Sequence, residues 1–221
     1  MLIGLIADIH SNLPALRAVL DHMKVDKILC AGDIVGYYPY PNEVIEIVRK
    51  HKIVSIRGNH DVAVITGDTN WFNPLAASAI GWTRDNLSPK NMEFLKTLPE
   101  QLIFEDIAIF HGSPSDPDEY VYPMTSPTRL SGFLDQAGKK ILVLGHTHVQ
   151  WGLELDDRKI INPGAVGQPR DGNPKAAYAI FDTESGKLTM HRIEYDIEEV
   201  ASKTISVGLP PYLAQRLFTG L

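Results

Sequence analysis

The chain has 221 residues, enough for one α/β domain with a sizeable core. Hydrophobic residues make up 44% and charged residues 22%, which is ordinary globular composition. A net charge of -6 argues against a sequence-independent grip on duplex nucleic acid, which needs a basic surface, although a bound metal can supply positive charge for a nucleotide. The single cysteine, Cys30 in "KILC", excludes an internal disulfide and argues against a thiolate-built zinc site.

Taken in chain order, "LIGLIA" reads as a first strand. The early Asp8 and the missing basic start set it apart from a signal peptide. "LPALRAVLDHM" carries a helical apolar stripe through Leu13, Leu16, Val19 and Leu20. "KILCAG" is the next strand, "NEVIEIVRKH" a helix and "KIVSI" a third strand. This alternation predicts a largely parallel sheet with right-handed crossovers. Residues 74 to 98 read as two helices broken near Ser88-Pro89. "QLIFE" and "IAIFH" form a hairpin across Glu105-Asp106. "TRLSGFLDQAG" is a helix closed by Gly138. The short runs "KILVLG", "VQWGLEL", "KIINPG", "AAYAIFD" and "KLTMHRIEY" predict a second, mostly antiparallel sheet. The tail from Asp196 to Leu221 is expected to be helical, with a break at Pro210-Pro211. No stretch approaches the roughly 20 apolar residues of a membrane span. The expectation is one compact domain over residues 1–221, cytoplasmic.

Polar residues collect where the strands end. The first strand runs into Asp8 and His10, the second into Asp33, the third into Asn59, His60 and Asp61. Later strands deliver His111, then His146 and His148. Five of the eight histidines fall at these ends, where open α/β sheets bind ligands. In an extended segment, residues two apart share a face, so Asp8 and His10 can face one ion, and His146 and His148 repeat that spacing. Each piece alone has a bland reading: a turn for G-N-H-D, a buried imidazole for His111, a cap for Asp61. All five in this order point to a metal site.

The ordered set D-x-H, G-D, G-N-H-D, H, G-H-x-H resembles the signature of the calcineurin-like metallophosphoesterases, from Asp8 to His148. Two softer stretches, "INPGAVGQPRDGNPKAAYAIFD" and "AASAIGWTRDNLSPKNMEFLKTLP", resemble small bacterial and archaeal members of the YfcE-like and diadenosine-tetraphosphatase-like groups. The resemblance implies a four-layer αββα sandwich, two mixed β-sheets flanked by helices. It implies two divalent ions: Asp8, His10 and His148 on one, Asn59, His111 and His146 on the other, Asp33 between. Mn²⁺ is the first expectation; oxygen and imidazole donors without thiolate also suit Fe, Ni²⁺, Co²⁺ or Zn²⁺. Two ions about 3.5–4 Å apart can clamp both oxygens of an in-line displacement, with a metal-bridging hydroxide as the nucleophile. His60 would protonate the leaving oxygen, and Asp61 would hold the His60 ring and favour its charged form. Arg170 is a candidate phosphate contact beside the reading of a solvated loop residue, and Tyr37 a candidate wall of the site. Arg57 is a weaker candidate, and Asn162 reads as a turn.

The implied activity is hydrolysis of phosphodiester or nucleotide polyphosphate bonds in a small phosphoester or nucleotide. A protein phosphatase, a nuclease and a non-catalytic scaffold of the same fold are the competing readings. The scaffold typically loses ligands or the His of G-N-H-D, and this chain keeps all of them. A homo-oligomer is left open. The substrate-specific walls are expected from residues 34 to 42, 66 to 86 and 112 to 127.

Overall fold

The computed structural model describes residues 1–221. Ten strands and eight helices follow in the order β1 (Leu2–Ile6), α1 (Leu13–His22), β2 (Lys27–Cys30), α2 (Pro41–Lys50), β3 (Val54–Ser55), α3 (Asn59–Thr66), α4 (Pro74–Asn86), α5 (Pro89–Thr97), β4 (Leu102–Phe104), β5 (Ile107–Ile109), α6 (Pro127–Ala137), β6 (Ile141–Val143), β7 (Gln150–Leu155), β8 (Arg158–Pro163), β9 (Ala176–Asp182), β10 (Leu188–Ile193), α7 (Ile197–Ser206) and α8 (Pro211–Gln215). A 3₁₀ turn, Arg216–Phe218, follows α8.

Two five-stranded sheets run β10-β9-β1-β2-β3 and β4-β5-β6-β8-β7. Both are mixed. In the first, β1–β2 and β2–β3 are parallel while β9 is antiparallel to β1 and β10. In the second, β6 is parallel to β5 and to β8, and the two edge pairs are antiparallel. The core divides accordingly. Leu16, Val19, Val44 and Val48 pack α1 and α2 on the outer face of the first sheet. Leu5, Leu29, Ile109 and Val143 fill the space between the sheets. Leu130, Phe133 and Leu134 of α6 cover the second sheet. The four layers are helices, sheet, sheet and helix.

The sequence expectation of a second, mostly antiparallel sheet is corrected here. β9 and β10 leave it and join the first sheet. The reason lies in β9, which is apolar on both faces. Ala176 and Tyr178 pack towards α1, while Ala179 and Phe181 pack between the sheets. A strand covered on both sides belongs beside β1, not at the end of an antiparallel meander. β3 is shorter than "KIVSI", and the segment after it turns at once into α3, a helix that the periodicity of that short stretch does not announce.

Helix starts follow local chemistry. Asn12 caps α1 by accepting from Ala15 N at 3.2 Å, and its amide donates to Gly167 O at 2.8 Å. Asn73, Ser88, Ser126 and Asp196 cap α4, α5, α6 and α7 in the same manner.

Candidate metal centre

The donors lie where β1, β2, β5 and β6 end, on adjoining edges of the two sheets, and at the start of α3. Their backbone is unusual. Of nine non-glycine residues with positive φ, five are Asp8, His10, Asp33, His146 and His148, with φ between 49° and 66°. A sixth is Ser11 at 59°. Asp and His tolerate this region better than most, yet it is sparsely populated, and such residues cluster at functional sites. This corrects the expectation that Asp8/His10 and His146/His148 meet through strand alternation. β1 has ended at Ile6 and β6 at Val143, and a left-handed turn, not a pleat, aims each pair. Gly58 leaves room for the turn opposite. A Cβ there would lie 2.2 Å from Asp33 Oδ1, so no larger residue fits.

Ligand-capable atoms of Asp8, His10, Asp33 and His148 lie within 4.8 Å of one another, all buried. Three ring tautomers follow from the carbonyls behind them. His10 Nδ1 faces Val35 O at 3.3 Å, His148 Nδ1 faces Gln168 O at 2.6 Å and His111 Nδ1 faces Ala31 O at 2.7 Å. A carbonyl only accepts, so each Nδ1 carries a proton and Nε2 is the nitrogen each ring can offer a metal; the neutral rings of His10 and His148 present a lone pair there. Those lone pairs meet other acceptors. His10 Nε2 is 3.0 Å from His148 Nε2. Asp33 Oδ2 is 3.5 Å from His10 Nε2 and 3.3 Å from His111 Nε2, so it stands between the two rings. His111 Nε2 is 3.1 Å from Asn59 Oδ1, and Asp8 Oδ2 is buried with no hydrogen-bond partner. Acceptors facing acceptors need a cation or protons between them. The donor set therefore fits divalent metal: oxygen and imidazole, no thiolate.

His146 stands slightly apart. Its ring centroid is 5.1 Å from that of His111, and its Nε2 donates to Asp118 O at 3.1 Å, which leaves Nδ1 as its acceptor. Burial pushes the imidazoles of His10 and His148 well below their ordinary pKa and that of His146 down to about 3. His111 is the exception. Burial opposes its charge, but Asp33 beside it outweighs this and raises it to about 10. The same contact holds Asp33 below the usual carboxylate range despite its burial. Burial, with Asp33 nearby, raises Asp8 to about 7.

His60 and Asp61 differ from expectation. Asp61 does not hold the His60 ring. Its carboxylate accepts from Gly58 N at 3.0 Å, Val35 N at 3.0 Å and Ile34 N at 3.2 Å. It is the third residue of α3 and reaches back to the N-cap backbone of Gly58, tying the G-N-H-D turn to the loop after Asp33. His60 Nδ1 is buried without a partner, and burial lowers its pKa to about 4 instead of favouring charge. Its ring is packed among His10, Tyr37 and Phe72, with centroids 4.7, 4.5 and 4.9 Å away.

An open cleft of about 1120 Å³ rises from the donors. Trp71, Tyr120, Arg57, Arg170 and Tyr37 line it. Arg170 is not a solvated loop residue. Its guanidinium donates to Gln168 Oε1 at 2.8 Å and to the Tyr37 hydroxyl at 3.1 Å. Arg57 is ion-paired with Glu100 at 2.5 Å. Asn162 donates to Gly145 O and Thr147 Oγ1 and so braces the turn that carries His146 and His148. Gln168 is a further residue of the site. It orients His148 through its carbonyl, Arg170 through Oε1 and Tyr38 through Nε2. No local pattern marks such a residue, because its partners are far apart in sequence. No helix is long and apolar enough to cross a membrane.

Fold and donor set together define a metal-dependent phosphoester hydrolase. Residues 1–186 match the calcineurin-like phosphoesterase superfamily domain, and the chain belongs to that superfamily. It is 37% identical over 246 residues to the Methanocaldococcus jannaschii protein MJ0912, covering 99% of this chain and 98% of that one. It is 26% identical to the phosphodiesterase YfcE of Escherichia coli, over 80% of this chain and 85% of that one. The crystal structure of a metallophosphoesterase from Sphaerobacter thermophilus superposes with a TM-score of 0.89 at 39% identity, over 100% of this chain and 99% of that one.

Proposed function

We propose that the cluster is a binuclear divalent-metal centre that hydrolyses phosphodiester or nucleotide polyphosphate bonds in small substrates. The observation that carries this reading is the convergence of metal-capable atoms on Asp33 Oδ2, which lies 3.5 Å from the His10 imidazole and 3.3 Å from that of His111. Asp8, His10 and His148 would hold one ion and Asn59, His111 and His146 the other, with Asp33 within reach of both groups. Mn²⁺ is the metal of choice. Bound ions would polarise the phosphoryl oxygens and make water a competent nucleophile near neutral pH.

The chain's own residues do the rest. The carbonyls of Val35, Ala31 and Gln168 fix which nitrogen each imidazole offers. Asn59 adds a donor without adding charge. His60, in the cleft wall, gives a proton or hydrogen bond to the departing oxygen. Asp61 positions this turn through three backbone N–H groups. Arg170, preset by Gln168 and Tyr37, meets a phosphate oxygen. The phosphodiesterase activity in YfcE's name supports the diester reading. The net charge of -6 supports a small substrate over a nucleic-acid polymer.

The test is to strip the protein with chelator, reload it with Mn²⁺ and assay bis-p-nitrophenyl phosphate, p-nitrophenyl phosphate and a dinucleoside polyphosphate. Cleavage is expected to vanish and return with metal, with diester or polyphosphate preferred over monoester. Cleavage that survives chelation, or none with metal bound, would overturn the reading.

A further inference from the structure

Three large apolar side chains left in water line the cleft: Val62, Trp71 and Tyr120. Trp71 is the most exposed, at 93%. A lone exposed indole needs no explanation by itself. What sets Trp71 apart is where it is held. Its neighbour Phe72 packs edge-on against His60, with ring centroids 4.9 Å apart, and His60 packs against His10 at 4.7 Å. Trp71 is therefore one residue from a ring in contact with the donors. The turn that carries it is fixed at both ends. Arg84 donates to Val64 O and Ile65 O, both at 2.9 Å, and so holds the end of α3. Phe72 N donates to Thr69 O at 3.0 Å, and Asn73 caps α4. A large apolar surface is thus presented to water on a fixed turn at the cleft.

Tyr120 offers a comparison. Its ring lies 4.3 Å from that of His146, which in turn is 5.1 Å from His111, and it stacks with Tyr122 at 6.2 Å and an interplanar angle of 15°. Tyr120 has aromatic neighbours of its own, and it covers the histidines. At 93% exposure, the Trp71 indole is open to the cleft. The cleft also has room for more than the reacting group. Its volume of about 1120 Å³ is at the upper end of what holds a whole small molecule, and a bare phosphodiester would fill little of it.

We infer that Trp71 is a specificity-determining residue whose indole stacks on a flat aromatic group of the substrate, the base of a nucleotide. This rests on the phosphoesterase reading of the same cleft. It names the part of the substrate that is recognised away from the phosphate, whatever the number of phosphates. Stacking suits the place. It needs one open face of the indole, it accepts any base because every base has a π-face, and it leaves the phosphate to the donors on the floor.

The experiment compares AMP with ribose 5-phosphate, which carries the same phosphate and sugar without the base. Binding of each to Mn²⁺-loaded protein is measured by calorimetry, in buffer holding the same Mn²⁺ concentration, for wild type, Trp71→Ala and Trp71→Phe. Wild type is expected to favour AMP. Trp71→Ala should weaken AMP by about tenfold, the scale of losing one base stack, and leave ribose 5-phosphate as in wild type. Trp71→Phe, which keeps a smaller ring, should recover part of the AMP affinity. Tryptophan emission gives a second readout: AMP should quench it in wild type and not in Trp71→Ala. No preference for AMP in wild type, an unchanged AMP-to-ribose 5-phosphate ratio in Trp71→Ala, or an equal loss of both ligands would overturn the inference. Should Trp71→Ala melt early, Trp71→Phe answers the same question: a smaller drop in the ratio supports the stack and an unchanged ratio overturns it. The binding readout needs no turnover. Trp71-dependent AMP binding without hydrolysis of any phosphoester would remove the phosphoesterase reading and leave the base subsite. Metal-dependent hydrolysis with an unchanged ratio would do the reverse.

Discussion

On the floor of the cleft the aspartate and histidine donors are at most 6% exposed, while on the rim Trp71 is 93% and Tyr120 52% exposed. Floor donors are held by backbone: carbonyls fix their tautomers and left-handed turns aim them. Rim residues sit on the loops after α3 and β5 and on the C-terminal tail, and are held by side chains or not at all. The floor determines which bond is attacked, and the rim determines whose bond it is. Changes to the floor should therefore erase metal or chemistry, and changes to the rim should move affinity among substrates.

The largest effect is expected from Asp33→Asn. It halves the carboxylate charge of the centre and removes the atom standing between His10 and His111, so Mn²⁺ affinity should fall by at least about 100-fold and turnover with it. Elemental analysis after dialysis, beside a phosphodiester assay, checks both; full metal content in the variant would break the distinction between floor and rim.

His60→Ala comes next. Metal content should stay as in wild type while kcat falls by roughly 10²–10⁴. Parent-rate hydrolysis would show that the ring only fills the wall between Tyr37 and Phe72.

Asp61→Ala sharpens the comparison in a different direction, because Asp61 supports the floor without touching ligand. Three buried backbone N–H groups would lose their acceptor, and stability should drop by about 1–3 kcal/mol, read as a lower denaturant midpoint. A wild-type midpoint would contradict the capping role.

The smallest effect is on pH. Asp8 titrates at about 7 and His111 at about 10, so both compete for protons with an incoming cation. A group protonated below its pKa must lose that proton to bind metal, so affinity falls as pH falls. Going from pH 8 to pH 6 should weaken Mn²⁺ binding by about tenfold or more, with protons released on binding, and equal affinities at the two values would contradict it.

The sequence carries the floor more readily than the rim for physical reasons. Asp8, His10, Asp33, His111, His146 and His148 each follow an apolar run, and side chains that follow strands converge wherever a sheet ends. Their residue types already name the chemistry. Asp61 was harder, because a carboxylate three residues into a turn reads equally as an orienting partner or a cap, and only its three N–H contacts distinguish them. For β9, periodicity reports that the strand is buried on both faces but not which strand it lies beside. Gln168 and Arg216 were invisible: nothing near "GQPRDG" or "AQRLFTG" predicts that residues 170 and 216 line one cleft. Side-chain convergence over such separations belongs to tertiary packing alone.

The most direct measurement is a titration of metal-free protein with Mn²⁺, counting bound ions per chain by calorimetry and elemental analysis. The expected result is two equivalents in wild type and a loss of tight binding in Asp33→Asn. One equivalent or none in wild type, or binding indifferent to Asp33, would contradict a two-ion centre on this floor.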